Sequence, residues 1–446
     1  MQIKNICCIG AGFVGGPTMA VIALKCPSIK VTVVDNNPDK IKAWNGPLEQ
    51  LPVFEPGLID VVSKTRGRNL FFSEKISDAI DEAEMIFVAV NTPTKTSGEG
   101  AGLAANLCHV EDCARDIAQY SNSDKIVVEK STLPVRTAEK IKQILVAENK
   151  VYHFEILSNP EFLAEGTAIQ NLFKSDRVLV GGDETPSGQK AVKALVDIYS
   201  KWIPHSKILT TNVWSSELAK LASNAMLAQR LSSINSFSAL CEKTGANIDE
   251  LSNAIGKDHR IGSHFLKVSA GFGGSCFQKD ILNLVYLARH YGLEEVAEYW
   301  HQVVKINDYQ KNRFAQKIID HFGGDLTDKK IVILGWAFKA NTNDSRESAS
   351  IYIAEKLYNA GAFLEIYDPM VSNETVIKDI SNYWERVPLQ SRIGFKIKKL
   401  GKIDNLDADA LVILTEWDEF KTISSFTCQI FDGRNILNKQ NKIIQL

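Results

Sequence analysis

The ten residues from Gly271 to Asp280, GFGGSCFQKD, place a single thiol, Cys276, behind three glycines and ahead of a helix-like run, FQKDILNLVYLARHYG. A cysteine at a helix start feels the positive end of the helix dipole, and Lys279 adds positive charge nearby. Both favour the thiolate, the form that attacks carbonyls. The glycines leave room for a bulky ligand to approach the backbone. The plain alternative is a glycine-rich turn with a buried, inert thiol. Lys220 and Asn224 are four residues apart on a helical run, so both project from one face. A mid-helix lysine is usually solvated, but Ser223 and Asn224 give this one a small, polar neighbourhood. A strand-like run FEILSNPEF brings Glu161 and Glu165 to the crevice at the strand ends, and Lys339, Arg346 and Arg434 stand at or just past strand ends. There, cations can grip phosphate or sugar, although Arg346 beside Glu347 equally suits a salt bridge.

The elements that must hold these groups are α/β in kind. Residues 3–9, IKNICCI, form a continuous apolar strand of the sort buried on both faces of a parallel sheet. Gly10-Ala11-Gly12-Phe13-Val14-Gly15 follows, then a small-residue helix pattern and a second strand, VTVVD, ending at Asp35. Strand, glycine turn, helix and an acid 20 residues beyond Gly15 are the context a dinucleotide site requires. Gly10 makes the tight turn, Gly12 lets the backbone approach the pyrophosphate, and Gly15 lets helix and strand pack closely. Asp35 accepts from the ribose diol, and the pyrophosphate sits on the helix N-terminus. With Asn36-Asn37 after Asp35 and no arginine to receive a 2′-phosphate, NAD is favoured over NADP. Strands at 85–90 and 125–132 end in Asn91-Thr92-Pro93-Thr94 and Lys130-Ser131-Thr132, loops that either meet the nicotinamide half or merely end strands.

From roughly 213 to 243 one helix runs without internal Pro or Gly, long enough to link two domains and to pack on a partner subunit. A second α/β pattern begins at 329–335 and continues through strands at 363–369, 410–417 and 428–433, without the glycine fingerprint. The polar, lysine-rich stretch 375–405 reads as irregular surface. The expected fold is two Rossmann-like, doubly wound domains joined by a long central helix. The divisions fall at 1–212, 213–325 and 326–446.

Charge is nearly balanced, 51 basic against 53 acidic side chains, and no basic stripe suggests nucleic acid. Eight cysteines show neither CxxC nor metal spacing, so no metal is expected. Cys7-Cys8 in an apolar strand suit a reducing compartment. The chain opens directly on a strand, and no apolar run reaches the roughly 18 residues needed to span a bilayer. The expectation is a cytoplasmic protein without membrane partners.

Together ICCIGAGFVGGPT, VNTPTKT, EKSTLPVR, SNPEFLAEGTA, ILTTNVWSSELAKLASNA, GFGGSCFQKD, NDYQ, ILGWAFKANTNDSRES and FDGRNIL resemble the nucleotide-sugar dehydrogenases. The likeness is strongest to members that act on UDP-glucose, and it covers nearly the whole chain. It implies oxidation of the sugar C6 hydroxymethyl to a carboxylate, giving UDP-glucuronate, with two NAD⁺ used in succession. Cys276 would trap the aldehyde as a thiohemiacetal and carry the thioester. Lys220 would stabilise the oxyanion, Asp280 would act with it in proton transfer, and Asn224 would bond sugar or oxyanion. Glu161 would activate water for hydrolysis, helped by Thr132. The implied cofactor residues are Gly10, Gly12, Phe13, Val14, Gly15, Asp35, Lys40, Val90, Thr92, Thr132, Glu165, Cys276 and Arg346. The implied substrate residues are Glu161, Phe162, Leu163, Glu165, Lys220, Asn224, Phe265, Leu266, Lys267, Phe272, Gly273, Phe277, Phe338, Lys339 and Arg434. Arg260 would reach the sugar nucleotide of a neighbouring subunit. The resemblance thus implies a homo-oligomer, a dimer at least, with a hexamer as a trimer of dimers the larger form.

Three other readings stay open on sequence alone. One is a sister activity on GDP-mannose or UDP-N-acetylmannosamine, which shares Cys276, Lys220 and Asp280. Another is a two-electron hydroxyacid dehydrogenase that needs no thiol, and the third is an inactive NAD-binding scaffold.

Overall fold

The computed structural model describes residues 3–384, 395–397, 407–425, 428–438 and 443–446. They form two compact units, Met1–Ser223 and Asn224–Leu446, whose boundary falls inside the helix Val213–Thr244.

In the first unit the strands are β1 (Asn5–Ile9), β2 (Lys30–Val34), β3 (Leu70–Ser73), β4 (Met85–Val88), β5 (Lys125–Glu129), β6 (Phe154–Ser158), β7 (Val178–Gly181) and β8 (Ile208–Thr211). They lie in the order β3-β2-β1-β4-β5-β6-β7-β8. The six from β3 to β6 are parallel, and β7 turns antiparallel to β6. That order reverses direction between β1 and β4, where ligands of open α/β sheets bind. Residues of β4, β5 and β6 are buried throughout, as strands covered on both faces must be. Apolar packing therefore extends on both sides of the sheet.

The second unit repeats the scheme with β9 (Lys330–Leu334), β10 (Phe363–Tyr367), β11 (Phe395–Ile397), β12 (Ala410–Ile413), β13 (Gln429–Asp432) and β14 (Ile443–Gln445). Their order, β11-β10-β9-β12-β13-β14, is parallel at every pairing. It has the same relative strand order as the first six strands of the other sheet. Ahead of it come the thiol-bearing helix Phe277–His290 and the long helix Glu294–His321. Two doubly wound sheets and a 32-residue central helix are the expected architecture.

Two expectations change. Strands read as 85–90, 125–132, 154–162 and 410–417 stop at Val88, Glu129, Ser158 and Ile413, because their ends leave the ladder to form loops. The stretch read as irregular from 375 begins as a helix, Asn373–Tyr383, with Val376 and Ile380 buried. Two apolar residues four apart make one helical face that the surrounding polar residues conceal. Residues 385–394 and 398–405 of that stretch lie outside the described residues.

Candidate active site

The nucleotide end of the first unit is built from β1, its following turn and the end of β2. Gly10 adopts φ +110°, and a Cβ there would lie 2.3 Å from the carbonyl oxygen of Ala89. A Cβ on Gly15 would lie 2.0 Å from the Gly10 carbonyl oxygen, so turn and helix meet backbone to backbone. A Cβ on Gly12 would meet nothing within 4 Å, leaving its main chain open to a pyrophosphate. Phe13 and Val14 complete the turn into the helix Gly15–Lys25. Asp35 is buried and accepts from the amides of Ala11 at 2.9 Å and Asn37 at 3.0 Å. Lys40 Nζ pairs with its Oδ2 at 2.8 Å. These residues fit a dinucleotide with a free ribose diol.

The loops after β4 and β5 are tied to each other. Thr92 donates to the Thr132 carbonyl at 3.0 Å, and Ser131 donates to the Val90 carbonyl at 2.6 Å. Beyond β6, the Glu161 carboxylate meets Lys220 Nζ at 2.9 Å and accepts from the Leu163 amide at 2.6 Å. Lys220 is 4% exposed and Glu161 8%, so the mid-helix lysine is no solvated surface residue. Phe162 lies beneath the Arg177 guanidinium, 3.8 Å from its carbon to the ring centre. Glu165 is half-buried on the same segment.

Within the second unit, Cys276 caps the helix Phe277–His290 and is half-buried, 3.5 Å from the Ser275 hydroxyl. Asp280, one turn on, is 1% exposed and accepts from Asn224 Nδ2 at 2.6 Å. Lys279 Nζ lies 2.9 Å from the other Asp280 oxygen. The lysine expected to favour the Cys276 thiolate is thus balanced by a buried carboxylate, which leaves the helix N-terminus as the polarising element.

The glycine loop before the thiol is stitched to the ends of β9 and β13. Gly274 donates to the Arg346 carbonyl at 2.8 Å, and its Cα faces the Phe338 ring so closely that a Cβ would lie 3.0 Å from it. A Cβ on Gly273 would lie 2.4 Å from the Glu347 carbonyl oxygen. Arg434 donates to the Phe338 carbonyl at 2.6 Å and pairs with Glu416 at 2.9 Å. Phe265, at φ +60°, Phe272 and Phe277 form an aromatic group, with Phe277 5.7 Å from Phe272 and 6.5 Å from Phe265. Leu266 is buried, Lys267 is exposed, and Lys339 lies over the Phe338 ring.

Two arginines have local partners. Arg346 forms a two-pronged pair with Asp344, at 2.8 and 2.6 Å. Arg260 pairs with Asp258 on an exposed loop. Sequence reasoning missed Arg177 and gave Lys130 no role of its own, only a place in the loop after its strand. Among the described residues no three His, Cys, Asp or Glu side chains could hold a metal, and no helix is long and apolar enough to cross a membrane.

A parallel sheet in dinucleotide-binding order, with a glycine turn and a ribose-facing acid, defines a dinucleotide-dependent oxidoreductase with a second nucleotide-type domain. Family models match in three consecutive parts: residues 4–203 the NAD binding domain, 214–309 the central domain, and 332–439 the UDP binding domain. The chain belongs to the UDP-glucose/GDP-mannose dehydrogenase family, and its cofactor is NAD. It is 56% identical over 454 residues to the UDP-glucose 6-dehydrogenase of Mus musculus, covering 100% of this chain and 92% of that one. It is 55% identical over 451 residues to UDP-glucose 6-dehydrogenase 1 of Glycine max, covering 97% and 94%. A solved UDP-glucose dehydrogenase from Pyrobaculum islandicum is 28% identical with a TM-score of 0.86, covering 100% of this chain and 97% of that one.

Proposed function

We propose that this chain oxidises UDP-glucose to UDP-glucuronate, removing four electrons in two steps at Cys276. NAD⁺ held on the Gly10–Gly15 turn supplies the hydride acceptor for each step, so two NADH form and water provides the second carboxylate oxygen. The Cys276 sulfur adds to the C6 aldehyde left by the first oxidation, giving a thiohemiacetal; the second oxidation converts it to a thioester. Lys220 stabilises the oxygen that gains charge in both species, and Asp280 relays the proton with Asn224 holding its carboxylate. Glu161 takes a proton from the water that attacks the thioester, with Thr132 positioning it, and the thiolate leaves. A covalent adduct keeps the aldehyde from hydrating or escaping between the two oxidations.

One observation supports this most strongly. Two buried polar pairs, Lys220 with Glu161 and Asn224 with Asp280, hang from consecutive turns of one helix. The uridine diphosphate end is assigned to Phe162, Leu163, Glu165, Phe265, Leu266, Lys267, Phe272, Gly273, Phe277, Phe338, Lys339 and Arg434. Arg346 and Glu165 are assigned to NAD, and Arg260 to the sugar nucleotide of a neighbouring subunit. Exposed Trp214, Leu218, Met226, Phe237 and Leu240 along the central helix support a dimer at least, with a trimer of dimers as the larger form. The proposed location is the cytoplasm, in keeping with buried, unpaired Cys7 and Cys8. Mass analysis of protein acid-quenched during turnover with UDP-glucose and NAD⁺ is expected to find a sugar-nucleotide adduct on Cys276. Full turnover with no adduct at that residue would contradict the thiol route.

A further inference from the structure

We propose that Lys130 is the positioning residue of the hydrolytic carboxylate: its ammonium group fixes the Asn159–Pro160–Glu161 turn and gives Glu161 a second cation beside Lys220. This rests on the role assigned to Glu161 above.

Lys130 follows directly on β5 and is 4% exposed. Its Nζ donates to Asn159 Oδ1 at 3.0 Å and to the Tyr199 hydroxyl at 3.3 Å. Tyr199 donates to the same Asn159 oxygen at 2.7 Å, and Asn159 Nδ2 donates to the Leu179 carbonyl at 2.7 Å. The Asn159 amide in turn donates to the Glu129 carbonyl at 2.9 Å. Asn159 is wholly buried, so this network joins the ends of β5, β6 and β7 and leaves the turn to Glu161 one course. Lys130 and Glu161 line the same cavity, together with Phe162, Leu163 and Arg177.

Hydrogen bonds to neutral partners do not repay burial of an ammonium group, so the charge itself calls for a reason. The charged and titratable groups facing it are Glu161, Lys220 on the central helix, Cys8 on β1 and Tyr199 on the helix Pro186–Tyr199. Two cations against one carboxylate leave a net positive charge around Glu161. Lys220 can then turn to an oxyanion without leaving the Glu161 carboxylate unpartnered by a cation. Burial lowers the Lys130 pKa to about 8, with Glu161 opposing the shift and Lys220 adding to it. The second cation is therefore lost as pH rises through about 8, within the range in which the enzyme can be assayed.

The test compares the wild-type enzyme with Lys130→Met and Lys130→Arg, using UDP-glucose and NAD⁺. Lys130→Met is expected to keep a burst of two NADH per site while steady-state kcat falls about 100-fold, the cost of a misplaced reacting group. KM for UDP-glucose should stay near the wild-type value. The wild-type kcat profile should break near pH 8, and Lys130→Arg, which stays charged, should keep activity at pH 7 without that break. A Lys130→Met burst slowed as much as its steady state would overturn the proposal. So would a wild type with no break, or a Lys130→Arg profile that keeps it; these decide alone if Lys130→Met does not fold. A wild type yielding one NADH per UDP-glucose would instead refute the assigned reaction, a separate failure.

Discussion

Beside the proposed machinery two acids share one burial. Glu129, the last residue of β5, is 1% exposed, and neither of its carboxyl oxygens accepts a hydrogen bond. Glu217, one turn before Lys220 on the central helix, accepts from the amides of Arg136 and Ala138 at 2.8 Å each. A proton on Glu129, donated to Glu217, joins the two acids by a hydrogen bond and removes the repulsion of two buried charges. Burial, and then the Glu217 charge, push the Glu129 pKa well above its ordinary 4.5. The folded chain binds that proton more tightly than the unfolded chain, so the pair stabilises the fold least at high pH. Stability is lost as pH rises from about 4.5 toward the folded value. Glu129→Gln keeps a donor toward Glu217 and removes the titration. It should leave stability unchanged at pH 4 and raise that of the first unit by about 1–3 kcal/mol at pH 7. Denaturant midpoints across that range check it; an unchanged pH slope would contradict the shared proton. In the sequence Cys276 stood out by its glycine loop and helix start, Lys220 only by its polar neighbourhood, and Asp280 only through the family resemblance. Lys130 and Glu129 did not stand out, since a charged pair closing an apolar strand looks solvated until helices cover it.

The NDYQ segment, which stood in the sequence without a role, shows how an element positions the thiol. Asn307 on the helix Glu294–His321 accepts from the Phe272 amide at 2.8 Å and donates to the Phe272 carbonyl at 3.0 Å. Gln310, one turn on, donates to the Ser269 carbonyl at 2.8 Å. Both are wholly buried, so the glycine loop before Cys276 hangs from this helix face by its main chain. Asn307→Ala strands two buried backbone groups and should lower the stability of the second unit by about 2–4 kcal/mol. Denaturant midpoints for this variant against the wild type measure that loss, and a change within error would remove the clamp from the account. Helices and strands were readable from period and composition. These cross-links were not, because asparagine and glutamine bonds to a distant loop leave no periodic trace.

At the scale of the whole chain, one sheet plan serves twice, with different ends. After β1 the turn carries Gly10 and an open Gly12. After β9, Gly335 at φ +101° is followed by Trp336, fully buried, with its amide on Asp368 at 2.7 Å. Asp368 takes five donors, from Trp336, Ala337, Met370, Val371 and the Trp417 indole, and so has no capacity left for a ribose. The missing glycine fingerprint in the second half was legible; the tryptophan that fills its place was not, since only packing shows it turned inward. The account requires the first nucleotide end to take NAD and one thiol to carry the sugar through both oxidations. Counting NADH formed per UDP-glucose consumed, in the wild type and in Cys276→Ser, tests that most directly. Two NADH per sugar in the wild type, with that stoichiometry lost in the variant, is the predicted result. One NADH per sugar, or full turnover without the thiol, would contradict it.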